Sequence, residues 1–160
     1  MLALEAARQL LQIGFPVKGL VLVDSPNPLH HEPLPDSVIQ HVCRPTLPGG
    51  EDRVPRSNET LARQFQQNAA LLGKYKPSTP AFSGIRTVML RSQQTFDTET
   101  ECGVRYDWLM SQEARDDAVK GWEELLGGRI EVFPIPGNHF EAFIPENVSH
   151  YCSLGNNHRG

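Results

Sequence analysis

Asp24 and His139 are the two residues of this chain whose surroundings favour acid–base chemistry. Asp24 directly follows the apolar run 17–23, and His139 follows the apolar run 130–135 after a Pro-Gly-Asn turn. Ligand sites in open α/β sheets lie at the carboxyl ends of the strands, where both residues would stand. A histidine there can take a proton from a hydroxyl and return it to a leaving group, while an aspartate fixes the imidazole tautomer.

Each of these residues also has an ordinary explanation. Asp-Ser-Pro at 24–26 is a common way to open a loop, and a loop histidine often only packs or forms a hydrogen bond. The order of the elements between the two residues is more informative than either residue alone. We therefore predict that Asp24 and His139 are catalytic, with the aspartate holding the imidazole of the histidine.

The nucleophile that such a pair would serve is missing from the sequence. No Gly-x-Ser-x-Gly occurs, which is the strained strand-to-helix turn that exposes a catalytic serine. Ser25, Ser83 and Ser92 stand near predicted strands, but none lies in a sharp turn from strand to helix. None of them is therefore placed beside the backbone N–H donors that such a turn supplies as an oxyanion hole. We expect no substitute nucleophile among them.

Composition excludes several other classes of function. A net charge of −4 and a pI near 5.8 give no reason to expect nucleic acid or an anionic membrane as a partner. The three cysteines form no Cys-x-x-Cys, which favours reduced thiols in a cytosolic protein. The spacing of His30, His31, His41 and Cys43 matches no standard metal site, so we expect no bound metal.

No targeting or membrane segment is evident in the sequence. The first residues lack the basic region and apolar run of a secretory signal. No stretch approaches the roughly 18 apolar residues that a membrane span needs. We therefore expect a soluble, cytoplasmic protein.

The hydrophobic patterning predicts alternating helices and strands. The near-continuous apolar run 17–23 is typical of a strand buried on both faces of a parallel sheet. The region 26–84 is rich in proline, holds two helical segments and indicates an insertion between strands. The predicted helices are 2–13, 36–42, 57–72 and 113–126, the predicted strands are 17–23, 86–91 and 130–135, and 92–107 is predicted to be a polar loop.

This arrangement resembles the type I thioesterase domains of fungal polyketide synthases and, more distantly, those of peptide synthetases. The matching stretches are 1–10, 17–28, 121–126 and 135–140. The resemblance implies an α/β-hydrolase fold, with parallel strands flanked by helices and a helical lid at about 27–84. It also assigns the acid of that family to Asp24 and its histidine to His139.

The family further implies a substrate and a partner. Its members release, and sometimes cyclise, a polyketide chain that is held as a thioester on the phosphopantetheine arm of an acyl carrier protein. No other cofactor is implied. Leu61, Phe65 and Leu72 would then form part of the lid and of the acyl pocket, although plain helix packing explains each of them equally well.

The resemblance also accounts for the missing nucleophile. In that family the serine elbow comes immediately before the helix that matches residues 2–12. We therefore expect residues 1–160 to be one truncated domain that lacks the amino-terminal strands and the elbow. Such a chain would be marginally stable alone, or would depend on a partner that supplies those strands. The alternatives are an inactive remnant or interaction module, and a generic α/β domain.

Overall fold

The structure is a computed structural model that describes residues 2–43, 56–77, 84–142 and 144–145. Helices and strands alternate along these segments. The helices are α1 (Leu2–Gln12), α2 (Asp36–Val42), α3 (Arg56–Leu72), α4 (Thr98–Cys102), α5 (Asp107–Met110) and α6 (Gln112–Leu126), and the strands are β1 (Gly19–Val23), β2 (Arg86–Ser92) and β3 (Glu131–Ile135). A 3₁₀ turn at His139–Glu141 follows β3.

The three strands form one parallel sheet in the order β1-β2-β3. In this register Leu22 lies beside Met89, which lies beside Val132. Parallel neighbours need long crossover connections, which α2 and α3 supply between β1 and β2, and α4–α6 supply between β2 and β3. The prediction of a parallel α/β sheet flanked by helices is confirmed, and the carboxyl ends of all three strands meet at one edge.

The main core fills the space between one face of this sheet and two helices. Leu20 and Leu22 of β1 and Met89 of β2 point into it. Residues spaced three or four apart on α6 line its buried stripe, as the sequence pattern predicts. The other members of this core are Leu4, Trp122, Leu125, Leu126 and Ile130. Packing of α1 and α6 on the sheet therefore fixes where β1 and β2 end.

The apolar run 17–23 is typical of a strand buried on both faces, but within the described residues only one face of β1 is buried. Leu20 and Leu22 are buried, but Val21 points to the opposite face and is 61% exposed. Successive side chains of a strand alternate between the two faces of a sheet. Within the described residues α1 and α6 cover only one of these faces, and β1 has a neighbouring strand only on the β2 side.

The described part of the predicted insertion holds the helices α2 and α3, but α3 contributes little to the core. It begins at Arg56, one residue before the predicted start. Leu61 and Phe65 are 46% and 37% exposed, so the expected apolar face of this helix lies mostly on the surface. In contrast, Val38 and Ile39 of α2 are buried, and Val38 packs in a second core cluster with residues that follow β2.

That second cluster corrects the prediction of a polar loop at 92–107. The Asp97 side chain accepts hydrogen bonds from the backbone N–H groups of Glu99 and Thr100 and starts α4. Such capping offsets the unpaired N–H groups at a helix start. Gly103 ends α4 in the left-handed conformation, and Tyr106 then packs into the cluster.

Among the residues that the structure describes, none of the helices combines the length and apolar character required to cross a membrane.

Candidate active site

Asp24 occupies an unusual backbone position at the end of β1. Its φ of 39° lies in the left-handed region, which aspartate tolerates better than most residues because its short side chain bonds locally. Its N–H donates to the carbonyl of Leu90 at 2.7 Å, so the sheet ladder extends one residue past the strand. The side chain is 3% exposed and turns inward at the carboxyl edge of the sheet.

Four donor groups meet the buried carboxylate. The Ser92 N–H donates to Oδ1 at 2.9 Å, and the Ser92 hydroxyl donates to Oδ2. Nη2 of Arg115 lies 2.6 Å from both carboxylate oxygens. Nδ1 of His139 lies 3.0 Å from Oδ2. The structure therefore brings together the two residues that the sequence predicts to be catalytic, and adds Ser92 and Arg115.

We call Asp24, Ser92, Arg115 and His139 the ion cluster. Burial of Asp24 by itself would raise its pKa, because water stabilises the charged form. The hydrogen bonds from His139 and Ser92 and the positive charge of Arg115 outweigh burial, and the pKa of Asp24 is held below its ordinary value. Asp24 is therefore a carboxylate at neutral pH and can accept a hydrogen bond from Nδ1 of His139 when that nitrogen carries a proton.

Arg115 is the member that the sequence reasoning missed. It is 3% exposed, and besides Asp24 its guanidinium donates to the Ser92 hydroxyl at 2.7 Å and to the Gln94 carbonyl at 2.8 Å. A signal was present, because Arg115 shares the buried stripe of α6 with Ala118 and Trp122. An arginine on an apolar stripe needs a buried acid.

The turn after β3 aims the His139 ring at Asp24. Gly137 has a φ of 78°, which glycine adopts at no steric cost. The Asn138 side chain accepts from the Phe140 N–H at 2.9 Å, and the Glu141 carboxylate accepts from the Asn138 N–H at 3.0 Å. This capping box holds both sides of the turn. The Pro-Gly-Asn-His order therefore encodes the local geometry of the histidine.

The His139 ring lies between two aromatic side chains. Its centroid is 4.7 Å from that of Trp108 and 5.1 Å from that of Phe140, both in edge-on geometry. Its side chain is 28% exposed. When Nδ1 carries a proton and donates it to Asp24, Nε2 holds the lone pair that can act as a base.

Two cavities open beside these residues. One of about 190 Å³ is lined by Trp108, Tyr106 and His31 among others. A second of about 130 Å³ is lined by Ser25, Leu72 and Trp122 among others. Of the three residues predicted to line an acyl pocket, Leu72 lines a cavity, whereas Leu61 and Phe65 are exposed.

The serines considered as substitutes occupy different surroundings. The Ser25 hydroxyl donates to the Val23 carbonyl at 3.3 Å. Ser92 is 1% exposed and its hydroxyl is committed to Asp24. Ser83 lies outside the described residues. Across the described segments, no group of three or more His, Cys, Asp or Glu side chains is arranged to hold a metal ion.

Comparison with known proteins points to one class. No protein-family model matches the chain. It is 32% identical over 146 residues to orsellinic acid synthase armB of Armillaria mellea, covering 90% of this chain and 6% of that protein. It is 30% identical over 177 residues to the orsellinic acid synthase of Beauveria bassiana, covering 92% and 8%. A thioesterase of Fusarium pseudograminearum is 27% identical over 135 residues, covering 82% and 49%.

Solved structures agree on the fold. The chain superposes on the NocB thioesterase domain with a TM-score of 0.63 and 27% identity, covering 99% of this chain and 61% of that one. It superposes on a Vlm2 thioesterase domain with a TM-score of 0.63 and 19% identity, covering 98% and 64%.

The fold is that of the α/β-hydrolase thioesterase domains. The chain resembles the carboxyl-terminal part of a thioesterase domain of fungal polyketide synthases, as its sequence predicts. It spans less than a tenth of the two synthases and about half of the Fusarium thioesterase.

Proposed function

We propose that this chain supplies the acid and the histidine of a thioesterase-type site in polyketide biosynthesis. The 3.0 Å contact between Oδ2 of Asp24 and Nδ1 of His139 carries the proposal. Asp24 is ionised and buried, so it can fix the tautomer of His139 and stabilise the imidazolium that forms when Nε2 takes a proton. These are the requirements for activating a hydroxyl nucleophile.

The nucleophile in this proposal is a serine from outside the 160 residues, in the same polypeptide or in a second one. Nε2 of His139 takes the proton of that serine, whose oxygen attacks the thioester carbonyl. The thiol leaves with the proton returned by His139, and an acyl-enzyme remains. Water or a nucleophile within the acyl chain, activated in the same way, then releases the product by hydrolysis or by cyclisation.

The proposed substrate is a polyketide chain on the phosphopantetheine arm of an acyl carrier protein. The similarity to polyketide synthases supports this class of substrate and partner. We further propose that residues 1–160 belong to one domain, with residues 27–84 as the lid; residues 44–55 and 78–83 of that segment lie outside the described residues. The cavity beside Trp108, the tryptophan that contacts His139, is a suitable place for the acyl group.

A chimeric enzyme tests the proposal. The segment of the Fusarium thioesterase that aligns with this chain is replaced by the corresponding residues of this chain, and the remaining Fusarium part is the proposed source of the serine. Hydrolysis of acyl-N-acetylcysteamine thioesters is followed by thiol release. We expect turnover that falls by about 10³-fold or more in His139→Ala, because the base is lost. His41→Ala, a histidine on α2, is the matched control and should retain activity.

A chimera that folds with a native far-UV spectrum and a single mass, but shows no turnover, contradicts the proposal. Equal activity of His139→Ala contradicts it as well. A folded chimera without turnover favours the inactive remnant or interaction module that the sequence leaves open, whereas equal activity of His139→Ala means that His139 is not the base.

A further inference from the structure

The starting observation is a guanidinium that is buried as deeply as the carboxylate it meets. Arg115 and Asp24 are each 3% exposed. Moving two charges out of water is costly, and a well-packed apolar pair of the same size is often equally stable or more so. Fold stability is therefore a weak reason for placing an arginine here, and the geometry of the cluster offers a better one.

The carboxylate of Asp24 lies between two groups that carry or can carry positive charge. Nη2 of Arg115 contacts both oxygens at 2.6 Å, while Nδ1 of His139 contacts Oδ2 at 3.0 Å. The guanidinium is itself fixed at a second point, because Nη1 donates to the Gln94 carbonyl at 2.8 Å. Because Nη1 and Nη2 of the planar guanidinium both have fixed partners, the carboxylate that is bonded to Nη2 has little freedom to rotate.

We propose that Arg115 is a positioning residue of the Asp24–His139 pair. It keeps Oδ2 aimed at Nδ1 and, through its charge, weakens the attraction of His139 for a second proton. An aspartate alone would favour the imidazolium, and the nearby guanidinium offsets part of that effect. The role rests on the proposed function of the pair.

On α5, whose Trp108 packs against His139, Asp107 forms an ion pair with Arg105. His139 contacts Asp24, Trp108 of α5 and Phe140 of its own turn. The Glu141 carboxylate in that turn accepts from the Asn138 N–H.

The charged residues beside the cluster in sequence are occupied elsewhere. Arg91, which precedes Ser92, forms an ion pair with Asp116, which follows Arg115. Arg115 and Asp24 are therefore the charges expected to govern the protonation of His139.

Imidazole C–H NMR of the full chain tests the charge effect. The pH midpoint of the His139 signal, assigned with His139→Gln, is compared between wild type and Arg115→Met. We expect the midpoint to rise by about one pH unit, a ten-fold change in proton binding, because a positive charge close to the ring is removed. Arg115→Lys keeps the charge and should titrate near wild type. Arg91→Met, the matched control, should not shift it.

A folded Arg115→Met protein whose His139 midpoint is unchanged or lower overturns the charge effect. If Arg115→Met does not fold, Arg115→Lys still decides the positioning role. A lysine cannot span Asp24 and the Gln94 carbonyl with a rigid fork, so we expect the population of the Nε2–H tautomer to rise at least two-fold in two-bond ¹H–¹⁵N spectra. An unchanged tautomer ratio overturns that role.

Neither measurement requires turnover or a serine. Failure of the Arg115 proposal is therefore separable from failure of the thioesterase proposal, which the chimeric enzyme tests.

Discussion

β1 joins two regions in which the usual distribution of polar and apolar groups is reversed. At its carboxyl end Asp24 buries a charge, 3% exposed, within the ion cluster. At its middle and in the turn before it, Val21, Ile13 and Phe15 expose apolar surface at 61%, 78% and 58%. We call these three residues the apolar margin. The two regions differ in whether their groups have partners in the structure.

The charged groups of the ion cluster have hydrogen-bond partners in the structure. Asp24 receives hydrogen bonds from Ser92, Arg115 and His139, and Arg115 has a further acceptor in the Gln94 carbonyl. The described residues leave the three side chains of the apolar margin largely uncovered, and one edge of β1 pairs with no strand of the described sheet. Exposed apolar strand edges promote association with other chains. The comparison indicates that the groups of the cluster have partners within the chain, whereas the described residues leave the margin uncovered.

The largest expected effect comes from removing the buried charge. Asp24→Asn should lower the free energy of unfolding by about 3–5 kcal/mol, because it leaves the Arg115 guanidinium buried without its counter-charge. Asparagine tolerates the left-handed backbone, so the loss reports the charge and not strain. Urea unfolding monitored by tryptophan fluorescence measures it.

The double variant Asp24→Asn/Arg115→Met is the control for this interpretation. It should recover part of the loss, because neither charge is then left alone. A loss below about 1 kcal/mol in the single variant would mean that the ion cluster does not hold the end of β1.

The next prediction compares the stability changes caused by substitutions on the two faces of β1. Leu22→Ala should cost about 2–5 kcal/mol, since Leu22 fills the core under α6. Val21→Lys should change stability by no more than about 0.5 kcal/mol, because this side chain is already exposed. It should also reduce self-association, which static light scattering over a concentration series measures.

A stable monomeric wild type with a sharp two-state transition would contradict the sequence-based expectation of marginal stability. A Val21→Lys protein that unfolds would contradict the exposure of this side chain, since the side chain would then be buried under folding conditions.

Acid should weaken the ion cluster and leave the apolar margin unchanged, because the three residues of the margin have no ionisable side chain. The pKa of Asp24 is lowered in the folded chain, so its contribution to stability is fully present above the ordinary pKa near 3.8. That contribution is lost as the pH falls below 3.8 toward the folded value. The free energy of unfolding, measured by urea at pH 7, 5 and 3.5, should fall over the last interval.

The half-buried Glu5 carboxylate also contributes to the acid response. Hydrogen bonds from Arg8 and Gln9 lower its pKa to about 2. The double variant Asp24→Asn/Arg115→Met isolates the contribution of Asp24 and should show a shallower decline between pH 5 and 3.5. Equal declines in this variant and in wild type would assign the acid response to other carboxylates.

The smallest expected effect is at the exposed counterpart of the cluster. Arg91 of β2 and Asp116 of α6 form an ion pair next to Ser92 and Arg115, which also join these two elements. The Asp116 side chain of this pair is 58% exposed. Arg91→Met should cost no more than about 1 kcal/mol, because water and salt screen such pairs. A loss as large as that of Asp24→Asn, in the same urea titration, would remove the distinction between buried and exposed pairs.

Most of the secondary structure could be predicted from the sequence. The apolar spacing of α6 and the runs of β1, β2 and β3 predict these elements to within a few residues, because local periodicity and helix-ending glycines determine them. The same runs predict that Asp24 and His139 follow strands. The Gly-Asn-His turn is also local, since its capping box closes within four residues, Asn138–Glu141.

Only the tertiary structure decided what meets Asp24. Its partners Ser92, Arg115 and His139 are 68, 91 and 115 residues away in the chain, so no local pattern pairs them. The exposure of Val21 and of α3 was decided in the same way, because an apolar residue is buried only where another element covers it. The sequence by itself determined which elements form and where the acid and the histidine follow them; packing determined the buried arginine and the uncovered face.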